Sequence, residues 1–205
     1  MTSRSYEQYC PIAVALDAIG DRWTLLILRE LTIGEQRFTD LRLALPGIAP
    51  NLLADRLRGL QDDGLVEQRE LPPPAARTVY AVTREGREVV PVLRALARFG
   101  ADKLGPPPRT GLALSPKRAV FSMLAPFHSP EPAGERFHAR LHVDGEVFDA
   151  VTDGSDLSFR RRQHDQPDVD VELTARQLIG ARQGKHLRLP DDAASERFGR
   201  LFQLH

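Results

Sequence analysis

Cys10 is the single cysteine of this chain, and it stands directly before Pro11 at the head of a predicted helix. A helix N-terminus favours thiolate over thiol, so reactivity towards oxidants is the chemistry to expect there. With no second cysteine, neither an intrachain disulfide nor a multi-cysteine zinc site can form. A disulfide could only join Cys10 to its mate in a dimer or to a small thiol; the structural alternative is a small apolar residue at a helix contact. His138 and His142 are four residues apart, a spacing that on a helix would turn both imidazoles to one face. Phe137, Ala139, Leu141 and Val143 alternate with polar residues instead, as in a strand. At a rise of ~3.3 Å per residue the two rings then lie ~13 Å apart and cannot share an ion. No metal site and no cofactor is expected. Nor does the chain carry a phosphate-cradling glycine loop, a nucleophile elbow or a metalloprotease helix. Asp168 and Asp170 alternate on the polar side of a strand, as solvated charges do. The expectation is a protein that is not an enzyme.

The elements that hold these residues fall into two halves. Residues 10–83 read as a winged helix-turn-helix. Pro11–Ile19 carries Ile12, Leu16 and Ile19 at helical spacing and closes on Gly20. Asp21 is placed to cap a second helix, Arg22–Leu31, with Trp23, Leu26, Ile27 and Leu31 inward. Phe38–Leu45 gives a short third helix. The fourth, running from Ala49 and Pro50 to Asp63, has Leu53, Leu57 and Leu60 on one side. Asn51, Asp55, Arg58 and Asp62 lie opposite, with Arg56 at the margin of the buried stripe. It ends at Gly64 and feeds a ribbon, Leu65-Val66 out and Thr78–Val82 back, with Pro72-Pro73-Pro74 as the tip. A helix followed at once by a two-stranded ribbon offers one element to each DNA groove. Thr83 is placed to cap a long helix, Arg84–Lys103, which Pro91 should kink or break. Its apolar stripe suggests a partner helix, most simply a second copy.

Gly105-Pro106-Pro107-Pro108 is a stiff segment, and the domain boundary is expected there: 1–105 for DNA binding and dimerisation, 106–205 for a second domain. That second domain reads as α+β with a mainly antiparallel sheet of about four strands. A helix runs from Ser115-Pro116 to Phe127, and strands follow at 136–143, 146–152, 157–162 and 169–173. Thr174 is placed to cap a short helix ending near Gly180, and Ser195 to cap a last one, Glu196–Leu204.

Composition argues less directly. The chain is 41% hydrophobic and 27% charged, with 28 basic and 28 acidic residues. Basic and acidic residues balance before Gly105 and again beyond it, which predicts modest non-specific DNA affinity from a small basic surface. No run approaches the ~20 apolar residues of a membrane span, and the N-terminus lacks a signal-peptide core, so a cytoplasmic protein with no membrane contact is expected.

The residues Cys10-Pro11-Ile12 and Ile19-Gly20-Asp21-Arg22-Trp23-Thr24-Leu25-Leu26-Ile27-Leu28-Arg29-Glu30-Leu31 resemble the HxlR family of bacterial winged-helix, MarR-like regulators. So do Arg37-Phe38-Thr39-Asp40-Leu41, Leu45-Pro46-Gly47-Ile48, Arg56-Leu57-Arg58-Gly59-Leu60, Gly64-Leu65-Val66 and Tyr80-Ala81-Val82-Thr83. The match covers the first half of the chain; Ala49 departs from it, standing where a capping serine is common. The resemblance implies a homodimer on a pseudo-palindromic operator in double-stranded DNA. It assigns Asn51, Arg56 and Arg58 to base or phosphate contacts, Arg77 to the wing tip, and Arg37 and Arg42 to phosphates. In some members a cysteine at the place of Cys10 senses oxidants through an intersubunit disulfide.

The second half is more distantly similar to the sterol-carrier-protein type of lipid-binding fold, on its strand meander, Asp168–Thr174 and the terminal helix with Phe198, Leu201 and Phe202. Such folds enclose an apolar tunnel, which implies an apolar small-molecule effector held among Phe121, Leu124, Phe137, Leu141, Phe148 and Phe159. The alternative is that these six merely fill a closed core. At the level of the whole chain, two alternatives to a DNA-binding regulator stand: a lipid-binding or transfer protein whose winged helix makes only protein contacts, and a thiol-based redox sensor.

Overall fold

The computed structural model describes residues 5–72, 77–101, 103, 116–129, 131–132, 134–154, 156–161 and 166–204. The wing tip at 73–76 and the proline-rich segment after Gly105 lie outside them. The chain divides into two compact units, Met1–Leu93 and Arg94–His205.

In the first unit, α1 (Pro11–Ile19), α2 (Thr24–Thr32), α3 (Phe38–Ala44) and α4 (Pro50–Asp62) precede the antiparallel ribbon of β1 (Val66–Glu70) and β2 (Thr78–Val82). Ile27, Leu28 and Leu31 of α2 are buried with Leu41 of α3 and with Leu53, Leu57 and Leu60 of α4. The leucine spacing of α4 therefore sets its inner face as the sequence predicts. Leu26 of the expected α2 stripe is exposed, and Leu28 takes the inward place. Gly64 ends α4 with φ of 70°. The Leu65 amide reaches the Leu60 carbonyl at 2.9 Å and the Gly64 amide that of Gln61 at 3.0 Å, a Schellman closure that turns the chain straight into β1. Thr83 accepts from the Gly86 amide and donates to the Gly64 carbonyl, so its hydroxyl ties the end of β2 to the end of α4. The long helix expected from Arg84 is two pieces. A 3₁₀ turn, Gly86–Val89, gives way to α5 (Val90–Ala101), which continues past Leu93 into the second unit, and Pro91 sits in the first turn of α5, where it costs no hydrogen bond.

The second unit contains α6 (Pro116–Leu124), β3 (Arg136–Val143), β4 (Glu146–Asp153), β5 (Asp156–Arg161), β6 (Val169–Leu173), α7 (Ala175–Arg182) and α8 (Ala193–Leu201). Its sheet has the order β5-β4-β3-β6 and is mixed: the first two pairings are antiparallel, but β6 runs parallel to β3, with Leu141 opposite Val171. One face is apolar (Phe137, Ala139, Leu141, Val143, Phe148, Ala150, Val169 and Val171) and packs in one cluster with Leu124, Leu178, Phe198 and Phe202. The other carries His138, Arg140 and Asp149, all buried; Arg140 Nε donates to Asp149 Oδ1 at 2.9 Å, and His138 Nε2 lies 3.2 Å from the same oxygen. Arg182, at the end of α7, donates to the carbonyls of Met123, Phe202 and Gln203 and lies over the Phe127 ring. Burial lowers its pKa to about 10, so it is still charged at neutral pH.

Two caps differ from expectation. Asp21 does not cap α2, whose N-cap is Trp23 without a side-chain bond. Asp192, not Ser195, caps α8, accepting from the Ser195 amide at 2.8 Å. That bond holds the Asp192 carboxylate below the ordinary aspartate pKa. Its folded value is the lower one, so the stability it supplies is present above the unfolded pKa and lost as pH falls through the folded one. The protection factor of the Ser195 amide is accordingly expected to fall in acid, and Asp192→Asn to flatten that pH dependence. Protection with the same acid profile in the variant would remove the carboxylate from this role.

Candidate nucleic-acid interface

The fourth helix presents its outer face with little obstruction. Asn51 is exposed in its first turn, and Arg58, 66% exposed, stands two turns on. Arg58 Nη1 is 3.1 Å from Asp55 Oδ1, an i,i+3 pair on that face. Asp55 is thus a local partner that orients the guanidinium, and a negative charge beside any phosphate it meets. Ala49 is the N-cap and makes no side-chain bond, so the cap residue leaves the first amide groups of the helix uncovered. Such amides, at the positive end of the helix dipole, suit an anion.

Arg56 is not on that face. Its Nη1 lies 2.7 Å from Asp21 Oδ2 in the turn between α1 and α2, and its side chain is 31% exposed. The pair ties α4 to the start of α2, and no local periodicity signals it because the partners are 35 positions apart.

Arg37 precedes α3 and grips Asp40 with two bonds of 2.7 Å. The hydrogen bond and charge of Asp40 hold its guanidinium above the ordinary arginine pKa. Arg42, further along α3, is exposed. Arg77 is exposed where the wing returns, its carbonyl accepting from the Leu71 amide at 2.9 Å. Five of the six expected contact residues are therefore on the surface of the first unit.

Gln36 is a positioning residue that sequence reasoning missed. Its backbone exchanges hydrogen bonds with Tyr80 of β2, at 3.0 and 2.8 Å, and its buried side-chain amide donates to the Glu30 carbonyl at 2.7 Å. One residue thereby fixes the ribbon to the end of α2. Nothing in the run Glu35-Gln36-Arg37 signals this, since a single bridging residue has no periodicity.

Cys10 is the half-buried N-cap of α1. His138 and His142 both lie on β3, His142 Nε2 2.9 Å from Asp170 Oδ1. Among the described residues no three His, Cys, Asp or Glu side chains converge as metal ligands. Of the six expected effector contacts, Leu124 and Leu141 are 0% and Phe137 1% exposed, leaving almost no surface that a water-sized sphere could touch. Phe121 and Phe148 are buried, and Phe159 is partly buried with its ring edge-on to Phe121 at 6.3 Å. Among the described residues no helix is long and apolar enough to cross a membrane.

Residues 18–107 match the HxlR-like helix-turn-helix family. An uncharacterised HTH-type transcriptional regulator of Synechocystis is 39% identical over 95 residues, which are 46% of this chain and 70% of that protein. One from Methanothermobacter thermautotrophicus is 34% identical over 94 residues, 46% of this chain and 72% of the other. Among solved structures, the oxidised form of the redox regulator HypR is 27% identical, covering 47% of this chain and 99% of its own, with a TM-score of 0.44.

Proposed function

The chain belongs to the HxlR-like helix-turn-helix family of transcriptional regulators, and we propose that it binds a pseudo-palindromic DNA operator as a homodimer. The observation that carries the DNA reading is the outer face of α4. Asn51 and Arg58 are exposed there, and Arg77 is exposed on the wing. Asn and Arg are the side chains that read adenine and guanine edges bidentately in the major groove, and a wing arginine suits the backbone or the minor groove. Arg37 and Arg42 add phosphate contacts on α3. Arg56 serves better as the tie to Asp21 than as a base contact. The test is an anisotropy titration of the full chain on DNA from its own promoter region, against unrelated DNA at 0.15 M salt. A preference of at least ~1,000-fold is expected of a specific binder; equal affinity for the two would defeat the reading.

The homodimer rests on a different observation. Ile12 is 70% and Val14 62% exposed on α1, Leu16 is exposed beside Ile12, and Tyr9 stands free just before them. On α5, Val92, Leu96 and Phe99 are exposed on one face at i, i+4 and i+7. Apolar helix faces of this kind call for a partner, and a second copy supplies a self-complementary one. Ile12→Glu with Leu16→Glu is expected to raise the dimer dissociation constant at least tenfold in analytical ultracentrifugation, with an unchanged circular dichroism spectrum. A wild-type chain that sediments as a monomer at micromolar concentration would refute the dimer. In a dimer formed through that α1 face, Cys10, which adjoins it, lies near the two-fold axis. Regulation through its thiol requires a covalent dimer on non-reducing gels that Cys10→Ser abolishes.

The paired state of Arg37, Arg56 and Arg58 favours a second reading, in which the winged helix makes protein contacts only and the second unit binds a lipid. The same titration separates the two. For the second unit we propose the role of effector domain for an apolar small molecule.

A further inference from the structure

We propose that the cleft between residues 186–190 and α8 binds a small amphipathic anion, a carboxylate with a short aliphatic tail. This deepens the effector reading by naming a site and a ligand class, and it rests on that reading only for the consequence of binding. The cleft measures about 410 Å³ and lies wholly within the second unit. That is within the ~300–1,000 Å³ range of small-molecule sites. Its walls are Leu187, Leu189, Pro190 and Leu204. Leu187 and Leu204 are anchored in the core, so the apolar side is preformed. The chain over 185–190 has no regular secondary structure, and Lys185 is held by its amide on the Gly180 carbonyl at 2.9 Å, which fixes where the segment leaves α7.

The rim supplies the charge. Arg188 comes from the 185–190 segment and Arg200 from α8, and His186 also lines the cleft. Among the described residues the one lining carboxylate, Glu196, is 3.8 Å from Arg200, a loose exposed pair that an incoming carboxylate can replace. Ser195, the remaining polar residue of the lining, spends its hydroxyl on Asp192. Among the described lining residues the site therefore has two exposed arginines against one carboxylate, above an apolar floor. That combination selects an anionic head and an aliphatic tail over a neutral lipid.

Gly199 is what keeps the floor open. A methyl group built there would meet the Leu204 carbonyl at 3.4 Å and Leu189 Cδ1 at 3.7 Å, ordinary contact that fills space without collision. It lies within α8, where alanine is the better helix former, so Gly199→Ala should not unfold the unit.

The experiment is calorimetric titration of the full chain with sodium octanoate, without DNA, beside 1-octanol as the neutral probe. Saturable one-site binding of octanoate, at least tenfold tighter than octanol, is expected. Arg188→Ala with Arg200→Ala should remove that preference while leaving octanol unchanged. Gly199→Ala should weaken both probes several-fold at an unaltered melting temperature. The proposal is overturned by absent octanoate binding, by wild-type affinity in the double variant, or by chemical-shift changes centred on Phe137 and Phe148 instead of Leu189 and Arg200. Because no DNA is present, failure here leaves the operator reading standing, and failure of the operator leaves this site standing.

Discussion

Arg58→Ala combined with Arg77→Ala is expected to lower operator affinity by about 30- to 1,000-fold while the protein stays folded. Each arginine that reads a base edge contributes about 1–3 kcal/mol, and removal of a phosphate contact weakens binding to all sequences alike. Both side chains are exposed, so the unfolded and folded states lose little by their truncation. Arg58 also has Asp55 as its neighbour; without the guanidinium, that carboxylate faces phosphate unscreened and adds to the loss. The salt dependence separates the roles. If each arginine neutralises one phosphate, the slope of log affinity against log salt should flatten by about 0.9 per residue. Arg56→Ala is the control. It breaks a half-exposed pair with Asp21, which is worth roughly 0–1 kcal/mol of stability, and should leave the salt slope where it was. Wild-type affinity in the double variant, or a slope change confined to Arg56→Ala, would transfer the DNA surface away from the outer face of α4.

Gly86→Ala should be the most damaging single methyl addition to the first unit. A β-carbon at Gly86 would stand 2.0 Å from the Leu65 carbonyl oxygen and 2.7 Å from Val82 Cγ2. The first of these is backbone, at the junction where α4 turns into β1, and it cannot swing aside. The Thr83 hydroxyl, which accepts from the Gly86 amide, draws the same segment inward and leaves less room to relax. Overpacking of this kind costs typically about 1–3 kcal/mol and sometimes more. For a unit of this size each kcal/mol lowers the melting temperature by about 4–8 °C, so a fall on the order of 10–20 °C is expected in calorimetry. The backbone at Gly86 is not in the left-handed region, so the cost is one of space and not of φ. A melting temperature within 2 °C or so of the parent would mean the 3₁₀ turn rides further from Leu65 than this packing has it.

What the sequence could determine was whatever repeats along a local element. The period of Leu53, Leu57 and Leu60 fixes which side of α4 is buried, and so leaves Asn51 and Arg58 outside. The alternation around His138 and His142 makes a strand and sends both rings to the face opposite the core. Thr174 before Ala175 reads as a cap, and it forms a full capping box with Gln177. What only the tertiary structure decided were the partners that lie across space. Alternation marks β6 as a strand but carries no information on direction, and it joins β3 in parallel. Arg56 meets Asp21, and Gln36 meets Tyr80 and Glu30. The six residues that the sterol-carrier resemblance places along a tunnel include Leu124 and Leu141, each 0% exposed, and Phe137, 1% exposed. The physical reason is common to these cases. Helix and strand periods are set by backbone geometry within a few residues, whereas an ion pair, a bridge or a filled void depends on which distant segment the packing of the whole unit brings within a few ångströms.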